Sequence, residues 1–294
     1  MLILHDPRCA EYGSSMRPEQ PARVTRSAAH LRTAHPDWTW RVPATPVGDD
    51  ILLLAHARPH LQRLAQTRDF DADTPYFPGI VEHARRAVGA ALEAAQHALK
   101  SRTPVFSLMR PPGHHATSGQ AMGFCYLNQI ALAAIYAQQR LQVARVAVWD
   151  FDAHHGNGTE AILHGQSNMF FASVHQYPGY PGTGTQDHGP HIRNWPVAPN
   201  TPRVAHMAAL RSSLDAVVSF APELILVSAG FDAYARDPIT QMTLERDDFA
   251  LLGRWLRETG RPAAALLEGG YSDDLPLLVD AFLSAWNNSA QPAA

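Results

Sequence analysis

Within the run Trp149-Asp-Phe-Asp-Ala-His-His-Gly-Asn-Gly-Thr159, two carboxylates and two imidazoles fall within six positions, directly after the apolar stretch 143–148. Side chains alternate along a strand, so Asp150 and Asp152 share one face, and His154 follows where the chain turns away. Asp152 and His154 can grip one cation, with Asp150 as a supporting partner. A carboxylate plus an imidazole suits zinc or a similar first-row divalent ion better than calcium, which prefers all-oxygen shells. A lone Asp-x-Asp is common in polar loops that cap strands, but four such residues after an apolar run point to a metal site.

Three other apolar runs also end in unusual polar residues: Arg110-Pro-Pro-Gly-His114-His115, Ala229-Gly-Phe-Asp232 and Glu268-Gly-Gly-Tyr271. Ligands of open parallel sheets bind outside the carboxyl ends of the strands, so the four groups are expected to converge. Asp232 is then the natural third ligand, and three protein ligands with an open position mark a catalytic rather than a structural zinc site. Two carboxylates and one imidazole leave a divalent ion formally neutral and only moderately Lewis acidic. A neighbouring base must therefore help to deprotonate the attacking water, and the tandem His114-His115 supplies it. Tyr271 follows two glycines that let the backbone approach closely, which lets its phenol hydrogen-bond a developing oxyanion. Together these residues specify metal-assisted hydrolysis of a carbonyl compound, an amide or an ester.

The elements that must position them alternate between short apolar runs and longer amphipathic ones, the pattern of a parallel sheet covered by helices. Strands are expected at 2–4, 105–108, 143–149, 169–174, 224–228 and 263–267, and helices at 80–100, 128–139, 204–220, 244–259 and 275–286. Pro222 and Pro262 stand just ahead of strands, where they end the preceding helices. The stretches 17–23 and 177–202, rich in Pro and Gly or polar residues, read as irregular, and long irregular loops in compact domains are often functional. With 294 residues and no break in composition, one α/β domain over 1–294 is expected.

Composition excludes several classes. A formal net charge of −3 and a pI near 6.6 lack the basic footprint that nucleic acid requires. Cys9 and Cys125 are too few for a disulfide framework and point to a reducing compartment. No stretch has the length to span a bilayer and the apolar start MLIL is too short for a signal peptide, so a cytoplasmic protein without membrane partners is expected.

The motifs RPPGHHA (110–116), GFCYLN (123–128), DFDAHHGNGT (150–159), PGTG (181–184), SAGFDA (228–233) and EGGY (268–271) together resemble the histone deacetylase and acetylpolyamine amidohydrolase family. They run in order along nearly the whole chain. The resemblance implies a three-layer arginase/deacetylase-like fold with a central, mostly parallel sheet flanked by helices, and zinc-dependent removal of acyl groups from amines such as acetyl-lysine or acetylpolyamines. By the same resemblance, Asp152, His154 and Asp232 are the zinc ligands, His115 is the general base and acid, and His114, paired with Asp150, is its electrostatic partner. Tyr271 then polarises the scissile carbonyl. Phe124 and Tyr180 are the walls of a narrow acyl-lysine channel shaped by Gly123, Arg23 stands near a cavity beneath the metal, and Asp73 is a rim residue that holds the substrate backbone. Potassium is implied beside the zinc loop, on main-chain carbonyls of 150–154 and Ser173.

Departures from the family pattern are informative. Tyr180 stands where Phe is more usual, and Arg17-Pro18-Glu19 replaces His-Pro-Glu, a change that bears on the entrance or on contacts in a homo-oligomer. Asn157 resembles the class II and bacterial branches; an Asp there would raise the basicity of His115, and the neutral amide leaves it lower. Polyamine-selective relatives can carry an acid near Asp237-Pro238, where this chain has Ile239, which favours acyl-lysine. A two-manganese ureohydrolase of the arginase type would need further carboxylates where this chain has Gly156 and Tyr234. A protein that binds acylated amines without hydrolysing them would lack a ligand or the tyrosine, and all are present here.

Overall fold

A computed structural model describes residues 1–43 and 47–288. Eight strands form one sheet: β1 (Leu2–Leu4), β2 (Thr39–Arg41), β3 (Val105–Ser107), β4 (Val146–Asp150), β5 (Met169–Gln176), β6 (Ile192–Val197), β7 (Leu224–Ala229) and β8 (Ala263–Leu267). Their order is β2-β1-β3-β8-β7-β4-β5-β6, and every neighbouring pair is parallel. The expected mostly parallel sheet is therefore parallel throughout. Strands β1, β3, β4, β5, β7 and β8 are buried at every residue, as a sheet covered on both faces requires.

Nine α-helices are described: α1 (Ala22–Ala34), α2 (Asp49–Leu52), α3 (Arg58–Leu64), α4 (Ile80–Ser101), α5 (Gln129–Arg140), α6 (Asn157–Leu163), α7 (Arg203–Ser219), α8 (Arg246–Glu258) and α9 (Leu275–Asn287). Helices α4 and α5 pack on each other, α4 also against β3, β8 and β7 and α5 against β4 and β7, while α8 packs on α9 and α9 on α1. Local chemistry sets their starts. The Asn128 side chain accepts the Ala131 N–H at 2.9 Å, which makes Asn128 the cap of α5 rather than its first residue. Glu245 and Asp248 form a capping box that starts α8 at Arg246, two residues later than the expected Leu244.

Two stretches read as irregular contain regular structure. Within 177–202 lies β6, an edge strand whose Arg193, Asn194 and Pro196 hide the strand signal because no further strand covers its outer edge. Within 17–23, Ala22 and Arg23 already belong to α1. The other edge strand, β2, and the short α6 were likewise not expected. Strand β4 begins at Val146, not Val143, and includes Asp150 as its last residue.

The sheet order puts β3, β8, β7 and β4 side by side, and these are the four strands whose carboxyl ends run into the polar motifs. Sequence-distant groups thus meet at one sheet edge, as expected. Between the polar residues of two of these motifs, Phe151 and Phe231 turn the other way. Their rings meet at 6.1 Å, Phe151 meets Phe282 of α9 at 5.5 Å, and Phe231 meets Phe249 of α8 at 5.3 Å. Full burial of each ring contributes about 1.5–3 kcal/mol, which ties the loops after β4 and β7 to the core. No helix among the described residues is long and apolar enough to cross a membrane.

Candidate active site and metal centre

Asp152 and His154 follow β4, and Asp232 follows β7. One potential ligand atom from each lies within 4.8 Å of the others, the one such group of three among the described residues. His154 Nδ1 is 2.8 Å from Asp232 Oδ2 and 3.2 Å from Asp152 Oδ1. Each carboxylate keeps a backbone donor on its remaining oxygen: Gly269 N–H to Asp152 Oδ2 at 2.7 Å, and Ala153 N–H to Asp232 Oδ1 at 2.8 Å. The aspartates are buried and His154 nearly so. Burial works against charge on Asp152, but His114 and His154 outweigh it and hold the carboxyl well below its ordinary range. Burial and Asp152 raise the Asp232 carboxyl, so the pair gains from a shared cation. Two carboxylates and one imidazole on one point fit a divalent metal, zinc included.

The two histidines after β3 occupy distinct environments. His114 Nδ1 lies 3.0 Å from Asp150 Oδ2, and its Nε2 lies 3.9 Å from Asp152 Oδ1. Although burial lowers the His114 imidazole, Asp152 and Asp150 override it and raise its pKa. His115 is lowered well below its ordinary value, first by burial and then by the neighbouring His114 and His154. Its tautomer follows from its partners. Met122 Sδ can only accept, so Asn157 turns its amide nitrogen toward Sδ at 3.5 Å and its Oδ1 toward His115 Nδ1 at 2.8 Å. His115 Nδ1 therefore carries the proton, and Nε2 keeps a lone pair. Exchange of Asn157 for Asp should raise the His115 pKa and move the acid limb of the pH–kcat/KM profile upward by about one unit, because a base works only when deprotonated. An unchanged limb in a pH–rate titration would remove His115 from the role of base.

A cavity of about 270 Å³ reaches this centre, lined by Arg17, Pro18, Asp73, His115, Gly123, Phe124, His154, Tyr180, Ile239 and Tyr271. Tyr180 meets His115 edge-on at 5.1 Å, and Phe124 meets Tyr271 at 5.8 Å. The wall at 123–124 needs glycine: Gly123 has φ +56°, and a Cβ there would strike the His115 ring and Tyr180. Phe124 is also left-handed, at φ +67°, held by its N–H on Thr74 Oγ1 at 3.1 Å and by the Met122–Cys125 bridge. Burial keeps the Tyr271 phenol well above its ordinary pKa, so it remains a proton donor.

Arg23 stands elsewhere than at the cavity wall. It lies behind Tyr271, its guanidinium 4.8 Å from the ring centre, donating to the carbonyls of Gly270 at 2.8 Å and of Glu268. The structure thus places Arg23 against the tyrosine loop and not among the residues that line this cavity. Three braces were not foreseen. Glu268 accepts the N–H groups of Gly113 and His114 at 2.7 and 3.2 Å, and burial pushes its carboxyl up to about 7. Asp237 accepts the N–H of Tyr271 at 2.8 Å and of Ile239 at 3.1 Å. Buried Glu19 holds Arg110, ninety-one positions away, and Arg23. Their signal in the sequence was weak: a charged residue next to a motif, with no pattern naming its partner.

The two positions where a second metal would need carboxylates are otherwise used. A Cβ at Gly156 would run into the Asp150 carboxylate. Tyr234 donates its hydroxyl to Asp274 at 2.8 Å.

Residues 17–285 match the family described as histone deacetylase domain. The chain is 34% identical over 288 residues to a probable deacetylase of Methanothermobacter thermautotrophicus, covering 93% of this chain and 86% of that one. It is 35% identical over 212 residues to the acetylpolyamine amidohydrolase of Mycoplana ramosa, covering 69% and 61%. Among solved structures, the acetylpolyamine aminohydrolase from Burkholderia pseudomallei superposes with a TM-score of 0.83 at 26% identity, covering 97% and 98%.

Proposed function

The chain belongs to the histone deacetylase domain family of amidohydrolases, and within it we propose a zinc-dependent deacylase acting on an acylated amine, acyl-lysine in preference to acetylpolyamine. One observation carries this reading: His154 of the Asp152–His154–Asp232 triad, a histidine with a free Nε2 and a protonated tyrosine line one cavity.

When bound, zinc supplies Lewis acidity toward the acyl oxygen and lowers the pKa of water. Asp152, His154 and Asp232 hold it. His115 Nε2 takes a proton from the attacking water and returns it to the leaving amine, while Asn157 fixes the ring through Nδ1. His114, kept cationic by Asp152 and Asp150, favours the negative charge that builds up around the attacking water and the acyl oxygen. The Tyr271 O–H donates to the oxyanion, and Asp237 and Arg23 hold the loop that carries it. Phe124 and Tyr180 flank the aliphatic stem and exclude water, and Asp73 serves the rim. Potassium fits as a structural ion beside the zinc loop, because Ser173 pairs with Asp150 in the β4–β5 register.

Ile239, an apolar residue at the channel, favours acyl-lysine by offering no charge to a distal ammonium. The likeness to acetylpolyamine amidohydrolase carries the second reading, acetylpolyamine deacetylation. A turnover panel of zinc-loaded enzyme on acetyl-lysine peptide, longer acyl-lysine peptides, acetylputrescine and acetylspermidine tests both. Acetate released fastest from acetyl-lysine supports the reading, faster turnover of acetylputrescine replaces it with the second, and no turnover refutes both.

A further inference from the structure

The channel mouth carries two opposite charges that do not neutralise each other. Arg17 and Asp73 line the same cavity, yet neither forms an ion pair with any described residue, so their charged atoms stand more than 4.0 Å apart. Both are mounted on one braced rim. Arg17 donates a single N–H, to the carbonyl of Ala72 at 3.1 Å, next to Asp73 in the chain. Four of its five N–H groups have no acceptor among the described residues. The rim loop is itself fixed: Asp71 Oδ1 accepts the N–H of Asp73 at 2.9 Å and of Thr74 at 2.6 Å, and Thr74 Oγ1 holds Phe124 of the channel wall. The backbone that carries Asp73 and the guanidinium that rests on it are therefore held in place, which lowers the ordering cost of binding.

We propose that Arg17 and Asp73 form a head-group subsite for a zwitterion, so that the channel selects Nω-acylated diamino acids, acyl-lysine with free α-carboxylate and α-ammonium. The inference rests on the deacylase reading of the channel. Arg17 takes the carboxylate, for which the guanidinium fork is suited. Asp73 takes the ammonium. The stem then runs between Phe124, Tyr180 and Ile239 toward His115 and Tyr271. An acetylpolyamine brings only positive charge to the mouth and meets Arg17, and an acyl-lysine inside a peptide brings neutral amides that use neither charge fully.

The test compares free Nε-acetyl-lysine, its carboxamide, its Nα-acetyl derivative and acetylputrescine on the zinc-loaded full chain, wild type against Arg17→Gln and Arg17→Glu. Values of kcat/KM are measured together with Kd by calorimetry on the same proteins carrying Tyr271→Phe, which reads binding without turnover. Wild type is expected to prefer acetyl-lysine over its carboxamide about tenfold, as one charge-assisted pair at a half-exposed mouth allows. Arg17→Gln should bring that ratio to about one, and Arg17→Glu should turn the preference toward acetylputrescine. A ratio that Arg17→Gln leaves unchanged, or a wild type indifferent to the carboxylate, overturns the subsite while leaving the deacylase reading intact. Absence of turnover for every compound strikes the deacylase reading instead, and the Kd ratio still decides the role of Arg17.

Discussion

Asp232→Asn should lose its bound zinc and with it at least about 10³-fold in kcat/KM toward an acetyl-lysine substrate. In the proposed centre Asp152, His154 and Asp232 are the three protein ligands, and the exchange removes one and a negative charge with it. The fold should survive, because an amide oxygen can still accept the Ala153 N–H that now reaches Asp232 Oδ1 at 2.8 Å. His154 is the residue that suffers: its Nδ1 stands 2.8 Å from Asp232 Oδ2 and loses its nearer carboxylate. Competition with a chromophoric chelator measures the metal, and acetate release measures the activity. Wild-type zinc affinity in the variant would remove Asp232 from the ligand set.

Tyr271→Phe should lower kcat about 10²- to 10³-fold and leave zinc affinity unchanged, the loss seen when one oxyanion donor is taken away. The exchange deletes only the O–H. The backbone N–H keeps its bond to Asp237, and the ring keeps its place over Arg23 and against Phe124. Because the loop is held by groups the substitution does not touch, a fall in kcat reports the missing donor and not a misplaced loop. Steady-state kinetics with KM resolved from kcat make the check, and an unchanged kcat would take the phenol out of the chemistry.

How much of this was legible in the sequence depends on burial. Strands β4 and β8, apolar on both faces, announce themselves, and so do the polar motifs at their ends, because carboxylates and imidazoles after an apolar run are costly unless they are used. Edge strands β2 and β6 face another strand on one side only and carry polar residues that erase the pattern. Helix α6 was hidden by Gly156 and Gly158 around Asn157, residues that read as a loop. At the site, ligand and base candidates were legible because each ends a strand, and sheet order then brings the ends together. The braces were not. Glu268 and His114 are 154 positions apart, and their pairing depends on how β3 and β8 stand beside one another, while Glu19 and Arg110, ninety-one apart, meet only because the segment ahead of α1 folds against the end of β3. Arg23 shows the converse: its type and place near the motif were clear, but only the packing of α1 behind the tyrosine loop shows that it lies against Tyr271.

A one-metal deacylase on this scaffold is tested most directly by metal stoichiometry and product identity on one preparation. Emission spectroscopy on the purified, metal-reconstituted chain is expected to give one zinc per chain, with acetate released from acetyl-lysine in step with bound zinc. Two manganese ions per chain with release of urea from a guanidino substrate would contradict it.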